Sequence, residues 1–93
     1  MKTILKEQID KMSDAEIAEM LRRDYMRRLM RYRMIDKFLK KKYQMDFQTF
    51  EKECIIEKQN YSFEVETDAQ EWELAIDGIK TIENKIQELL HGN

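Results

Sequence analysis

A chain of 93 residues with two Gly, no Pro, 39% charged and 42% hydrophobic residues has the composition of long helices or coiled coils, and its length allows one small domain with a thin core. Its single cysteine excludes an internal disulfide and a cysteine metal knuckle. The formal net charge of −2 conceals a sharp division, because residues 22–42 hold ten Lys or Arg against two acids, whereas residues 43–93 hold four against twelve.

In chain order, the first pattern is Ile4, Leu5, Ile9 and Met12 at helical spacing, which predicts a leading short helix or arm over residues 1–12. It has neither the apolar run of a secretory signal nor that of a membrane span, and a cytoplasmic location is expected. In "MSDAEI", Ser13 and Glu16 form a capping box, so a long basic helix is predicted over 14–43, roughly 45 Å at 1.5 Å per residue. Asp46 then caps a short helix over 46–58, whose Phe47, Phe50, Cys54 and Ile55 share a face and predict a buried cysteine. In "NYSFEVET" the period changes to two, as Tyr61, Phe63 and Val65 alternate with polar residues, and an extended segment is predicted over 61–66. Thr67 and Gln70 form a second capping box, from which an acidic heptad helix over 68–91 begins; Gly92 follows as its terminator.

The long helix carries two apolar series. Ile17, Leu21, Tyr25, Leu29, Tyr32, Ile35, Leu39 and Tyr43 form the expected core stripe, while Met26, Met30, Met34 and Phe38 step by four on the other side. The last helix places Trp72, Ile79 and Ile86 at a, and Ala75, Ile82 and Leu89 at d. The expected fold is therefore all-α: residues 1–93 make a single domain built as a long, coiled-coil-like antiparallel helical hairpin, with a short helix and one extended segment in the connection. One hairpin partner cannot cover both faces of the long helix, so Met26, Met30, Met34 and Phe38 are the candidate self-association face of a homodimer.

The same residues bear on catalysis, nucleic-acid binding and protein binding. Catalysis is not expected: His91 is the only histidine and stands near the end of the sequence, and Cys54 has acidic neighbours that disfavour a thiolate. No cofactor or metal is expected either, since Glu64, Glu66 and Asp68 are a poor match to a calcium loop. A purely structural homodimer is one alternative reading, and nucleic-acid binding through the basic helix 22–42, with Arg23, Arg27, Arg31 and Lys41 as the candidate residues, is the other. Against it, the basic residues are spread around the helix axis, and the acidic second half of the chain can neutralise them. The preferred class is protein binding. Tyr61, Phe63, Val65 and Trp72, fringed by Glu64 and Glu66, combine aromatic anchors with a polar rim and suit a basic partner.

"RYRMIDKFLKKKYQMDFQTFE" followed by "YSFEVETDAQEWELAIDGI", over residues 31–79, resembles a group of small archaeal and bacterial proteins with the pattern R-Y-x-M-I-D-x-x-L-x-x-K-Y-G-M-x-F-x-x-F-E and then S-W-E-V-E-x-D-x-x-E-W-E. Some of that group are associated with toxin–antitoxin gene pairs, in which they look like the antitoxin. The resemblance implies a non-catalytic protein that binds and neutralises a basic partner, such as a toxin encoded nearby, by covering an RNA-cleaving site with acidic surface. The chain departs from the pattern at Gln44, where the group has Gly, and at Phe63, where it has Trp. The first departure makes a left-handed turn after Tyr43 less comfortable; the second keeps an aromatic anchor and loses its indole donor.

Overall fold

The computed structural model describes residues 7, 8 and 10–91. Of the expected leading helix or arm, Glu7, Gln8, Asp10 and Lys11 have helical backbone, while Ile4, Leu5 and Ile9 lie outside the described residues. Four helices follow: α1 (Asp14–Tyr43), α2 (Phe47–Lys52), α3 (Ile55–Lys58) and α4 (Phe63–Leu90). The long pair, α1 and α4, packs as a helical hairpin; α2 lies against both, and α3 against α4.

Local chemistry sets each boundary. Ser13 accepts from the Glu16 amide at 3.1 Å while Glu16 reaches back to the Ser13 amide, so the capping box starts α1. Gln44 closes α1 in the left-handed region at φ 58°, and the Met45 amide donates to Lys40 across the turn. This is the turn for which Gly is best suited; the chain makes it with Gln, whose side-chain Nε2 donates to the Lys41 carbonyl. Asp46 accepts from the Thr49 amide at 2.8 Å and starts α2.

Three expectations need correction. The helix predicted over 46–58 is two helices, broken at Cys54, which adopts φ 52°. Cys54 is exposed, because the break turns it away from the core while Phe47, Phe50 and Ile55 stay in it. The segment 61–66 is not extended: Asn60 and Tyr61 are left-handed, Ser62 accepts from the Val65 amide at 3.3 Å, and α4 starts at Phe63 instead of Asp68. Val65, Ala69, Trp72 and Ile76 recur at helical steps and all meet the core, and this longer period prevails over a three-residue alternation. Glu64 and Glu66 then fall in the first turn, where negative charge suits the helix dipole.

The core is concentrated at the connection end. Leu39, Phe50, Val65 and Trp72 are buried there, with Tyr43, Phe47 and Ile55 packed on them. Trp72 has ring centroids of Phe50 and Phe47 at 5.1 and 5.4 Å, and Tyr43 meets Phe50 edge-on at 5.0 Å. The fully buried indole donates to Asp36 Oδ1 at 2.9 Å, which supplies its Nε1 with an acceptor. Further along, Leu29, Ala75 and Ile82 carry the buried seam towards the open end of the hairpin. At Gly78 the Tyr32 ring lies so close that an added Cβ would be 2.5 Å from its Cε2. A glycine inside a helix costs about 0.5–1 kcal/mol, and here it admits the ring.

Two substitutions test this packing. Gly78→Ala gains about 1 kcal/mol of helix propensity but must displace Tyr32, so urea unfolding followed by Trp72 fluorescence should show a net loss of about 1–2 kcal/mol. In a Tyr32→Ala background the same change should stabilise; destabilisation in both would refute the contact. Asp36→Ala strands the indole donor and should cost about 2 kcal/mol, whereas Asp36→Asn keeps an acceptor and should cost less than half as much. Equal losses would mean that the bond is unimportant.

Candidate functional site

The residues expected to bind a partner separate into two sets. Val65 and Trp72 point inward and belong to the core, so they are not surface anchors in this fold. Tyr61 and Phe63 point outward, 59% and 85% exposed, at the turn that starts α4. Around them stand Glu57, Glu64 and Glu66, and the negative charge of Glu57 beside Tyr61 raises its phenol above the ordinary range. Left-handed Asn60 and Tyr61 hold this turn: the Tyr61 amide donates to Ile56 at 2.9 Å and the Asn60 amide to Glu57 at 3.0 Å, closing α3 with a Schellman pattern. The aromatic pair is therefore presented by a hydrogen-bonded turn.

Beside it lies a polar cluster that sequence reasoning did not assemble. Lys42 donates to Asp68 Oδ2 at 2.6 Å and to Glu64 Oε1 at 2.8 Å, and the Tyr43 hydroxyl donates to the same Asp68 oxygen at 2.6 Å. Glu64 and Asp68 converge on an ammonium. Hydrogen bonds to Asp68 and Glu64 raise the Lys42 pKa. Burial works to raise Asp68, but the bonds from Lys42 and Tyr43 outweigh it and hold the carboxyl below its usual range. Burial, together with the bond to Asp68, pushes the Tyr43 phenol up to about 12. The signal for the cluster was the acidic first turns of α4 facing the basic last turn of α1, legible only once their register is known.

The methionine series faces outward as the spacing indicated. Met30, Met34 and Phe38 are 65%, 66% and 66% exposed, and Met26 is also exposed. The basic run is partly consumed within the chain. Arg22 and Arg23 bond Glu19 and, through those hydrogen bonds, hold it down to about 2. Arg28 pairs with Asp24 at 3.1 Å, with Arg27 at 3.9 Å from the same carboxylate. Lys40 lies 3.7 Å from Asp36, and Arg33 crosses to Glu83 at 2.9 Å. Among the described residues Arg31, Lys37 and Lys41 have no carboxylate partner. Of the four candidate nucleic-acid residues, Arg23 and Arg27 thus have carboxylates at hand, while Arg31 and Lys41 do not.

The remaining polar residues are placed as follows. His91 closes α4, its Nε2 3.1 Å from Gln87 Oε1. Among the described residues no His, Cys, Asp or Glu group is arranged to hold a metal ion, and no helix is long and apolar enough to cross a membrane. Compared with protein-family models, curated proteins and solved structures, the chain finds no match.

The Tyr43 phenol gives the cluster a pH signature. Its folded pKa is raised, so the folded chain holds the proton more tightly than the unfolded chain; the resulting stability is complete below pH 10 and lost as pH rises through about 12. Tyr43→Phe should therefore show a smaller fall in unfolding free energy between pH 10 and 12 than the parent chain. Identical alkaline profiles would show that the hydroxyl is not coupled to folding.

Proposed function

We propose that this chain is a non-catalytic helical interaction module that captures and neutralises a basic partner protein, in the manner of an antitoxin, through the acid-rimmed aromatic turn at the start of α4. The observation that carries the reading is the exposure of Tyr61 and Phe63, two residues apart at a hydrogen-bonded turn, with the charges of Glu57 and Glu66 acting on Tyr61 and Glu64 following Phe63 in the chain. Neither ring has a role in the core, which Trp72, Phe50 and Leu39 already fill. Exposed aromatic side chains on a fixed backbone lose little entropy when they are buried by a partner, and they are the residue types that dominate binding energy at interfaces. The carboxylates around them add steering and specificity towards a basic surface. A partner that acts on RNA needs positive charge around its site, and a turn of this chemistry is suited to cover it.

The nucleic-acid alternative has weaker support. Glu19, Asp24, Asp36, Glu64, Asp68 and Glu83 stand against seven of the ten cations in residues 22–42. Few cations are left for phosphate, and the one aromatic ring on the outer side of α1 is Phe38.

The test is copurification at physiological salt from the native cell, followed by affinity measurement with the isolated partner. A specific basic protein should be retained, and Tyr61→Ala plus Phe63→Ala should weaken it roughly thirtyfold or more while leaving helicity and Trp72 emission unchanged. If no protein is retained, or if the double variant binds as tightly as the parent, the reading fails.

A further inference from the structure

The two outer faces of the hairpin carry opposite charge, and each displays groups left without an ionic partner in the fold. On α1, Met26, Met30, Met34 and Phe38 form an exposed ridge flanked by Arg31, Lys37 and Lys41, which are unpaired among the described residues. On α4, Leu74 is 66% exposed, with Glu73 and Asp77 along one side of it, both exposed and likewise without a basic partner among the described residues; Lys80 and Lys85 are exposed further along the same outer side. At about 100° per residue, Leu74 and Asp77 lie on the side of α4 turned away from Trp72 and Ala75, and the methionine ridge lies opposite Leu29 and Leu39 on α1. The hairpin thus has a basic apolar back and an acidic patch around Glu73 and Asp77 on its front.

We propose that a second copy of this chain docks on the α1 ridge with the outer face of its own α4, in a head-to-tail contact. Symmetric pairing of two α1 ridges would bury the methionines but bring Arg31, Lys37 and Lys41 of one copy against the same cations of the other, and like charges held close oppose association. Pairing α1 with α4 buries the same ridge against Leu74 and sets those cations against Glu73 and Asp77. Methionine side chains adapt to a partner's surface without a fixed rotamer. The contact uses different faces on the two copies, so each bound copy still offers one free face and association extends to a ring or a filament. Phe63 stands on the same outer side of α4, and the contact is centred on Leu74, roughly 16 Å further along the helix axis; the inference is tested without the partner proposed above.

The experiment uses the purified full chain alone, with sedimentation velocity over a wide concentration range at low and high salt. The parent chain should gain mass with concentration, and salt should weaken the gain. Arg31→Glu, Lys37→Glu and Lys41→Glu together make both faces acidic, and Glu73→Lys plus Asp77→Lys makes both faces basic; each variant should lose the association while keeping helicity and Trp72 emission. An equimolar mixture of the two should recover it, because opposite faces then meet again. Association that survives the α4 reversal but not the α1 reversal would assign the ridge to a symmetric α1 contact and overturn the proposal. So would a parent chain that stays monomeric throughout, including one that instead binds single-stranded DNA in a salt-dependent manner, since the face would then belong to phosphate.

Discussion

The arrangement depends on one buried donor. Trp72 is wholly enclosed, and its indole N–H has a single acceptor, the Asp36 carboxylate on the facing helix. A buried donor without a partner costs about 1–3 kcal/mol, so sliding α1 past α4 by a turn, or rolling it by one residue, exchanges a satisfied pair for a stranded indole and a carboxylate facing apolar groups. One heptad further along α1, Tyr43 donates to Asp68 and makes a second pin of the same kind. Hydrophobic burial would tolerate several registers of two striped helices; these two bonds select one. Once register and roll are fixed, Leu29 and Leu39 must face inward, and the methionine series must face out.

Charge has a different role. The basic run of α1 and the acidic second half of the chain meet at Lys42 with Glu64 and Asp68, and at Arg33 with Glu83. Such exposed pairs contribute about 0–1 kcal/mol each, which is too little to hold the hairpin together. Their number also leaves much charge unspent across the hairpin: Arg22, Arg23 and Arg28 turn to acids on their own helix. The result is a molecule of small net charge with outer surfaces of opposite sign. The same distribution leaves Arg31, Lys37 and Lys41 on the outside of α1 and Glu73 and Asp77 on the outside of α4 without an ionic partner among the described residues.

Much of this architecture is legible in the amino-acid order because its signals are local. Ser13 and Glu16 specify a helix start by a reciprocal pair of bonds that any helix at that position would form, and the steps of three and four along α1 identify inner and outer sides whatever covers them. The start of α4 is ambiguous in the sequence because two capping residues compete within six positions. Thr67 with Gln70 satisfies the capping pattern as well as Ser62 does, and only the burial of Val65 by the aromatic cluster favours the earlier one. Nothing in the sequence announces the break at Cys54, since neither Gly nor Pro marks it; tertiary packing of Phe50 below it and Ile55 above it accompanies the left-handed residue. Asp36 was equally silent: one acid among many, it acquires meaning only from a tryptophan 36 positions away.

The candidate site shows the same limit in a sharper form. Aromatic residues among acids mark an interaction turn by composition, yet Tyr61, Phe63, Val65 and Trp72 divide evenly between surface and core, and the division follows from where the helix begins. An extended segment would have put Tyr61, Phe63 and Val65 on one face together. A helix that starts at Phe63 instead sends Val65 inward with Trp72, leaving Phe63 at the helix mouth and Tyr61 on the turn before it. Moving the cap by five residues therefore splits the presumed hydrophobic face: half of it completes the core that fixes the hairpin, and the other half is displayed on the hydrogen-bonded turn beside it. A backbone held by its own hydrogen bonds keeps the ordering cost of binding low, so the turn that sends Val65 inward with Trp72 also presents Tyr61 and Phe63 outward as anchors.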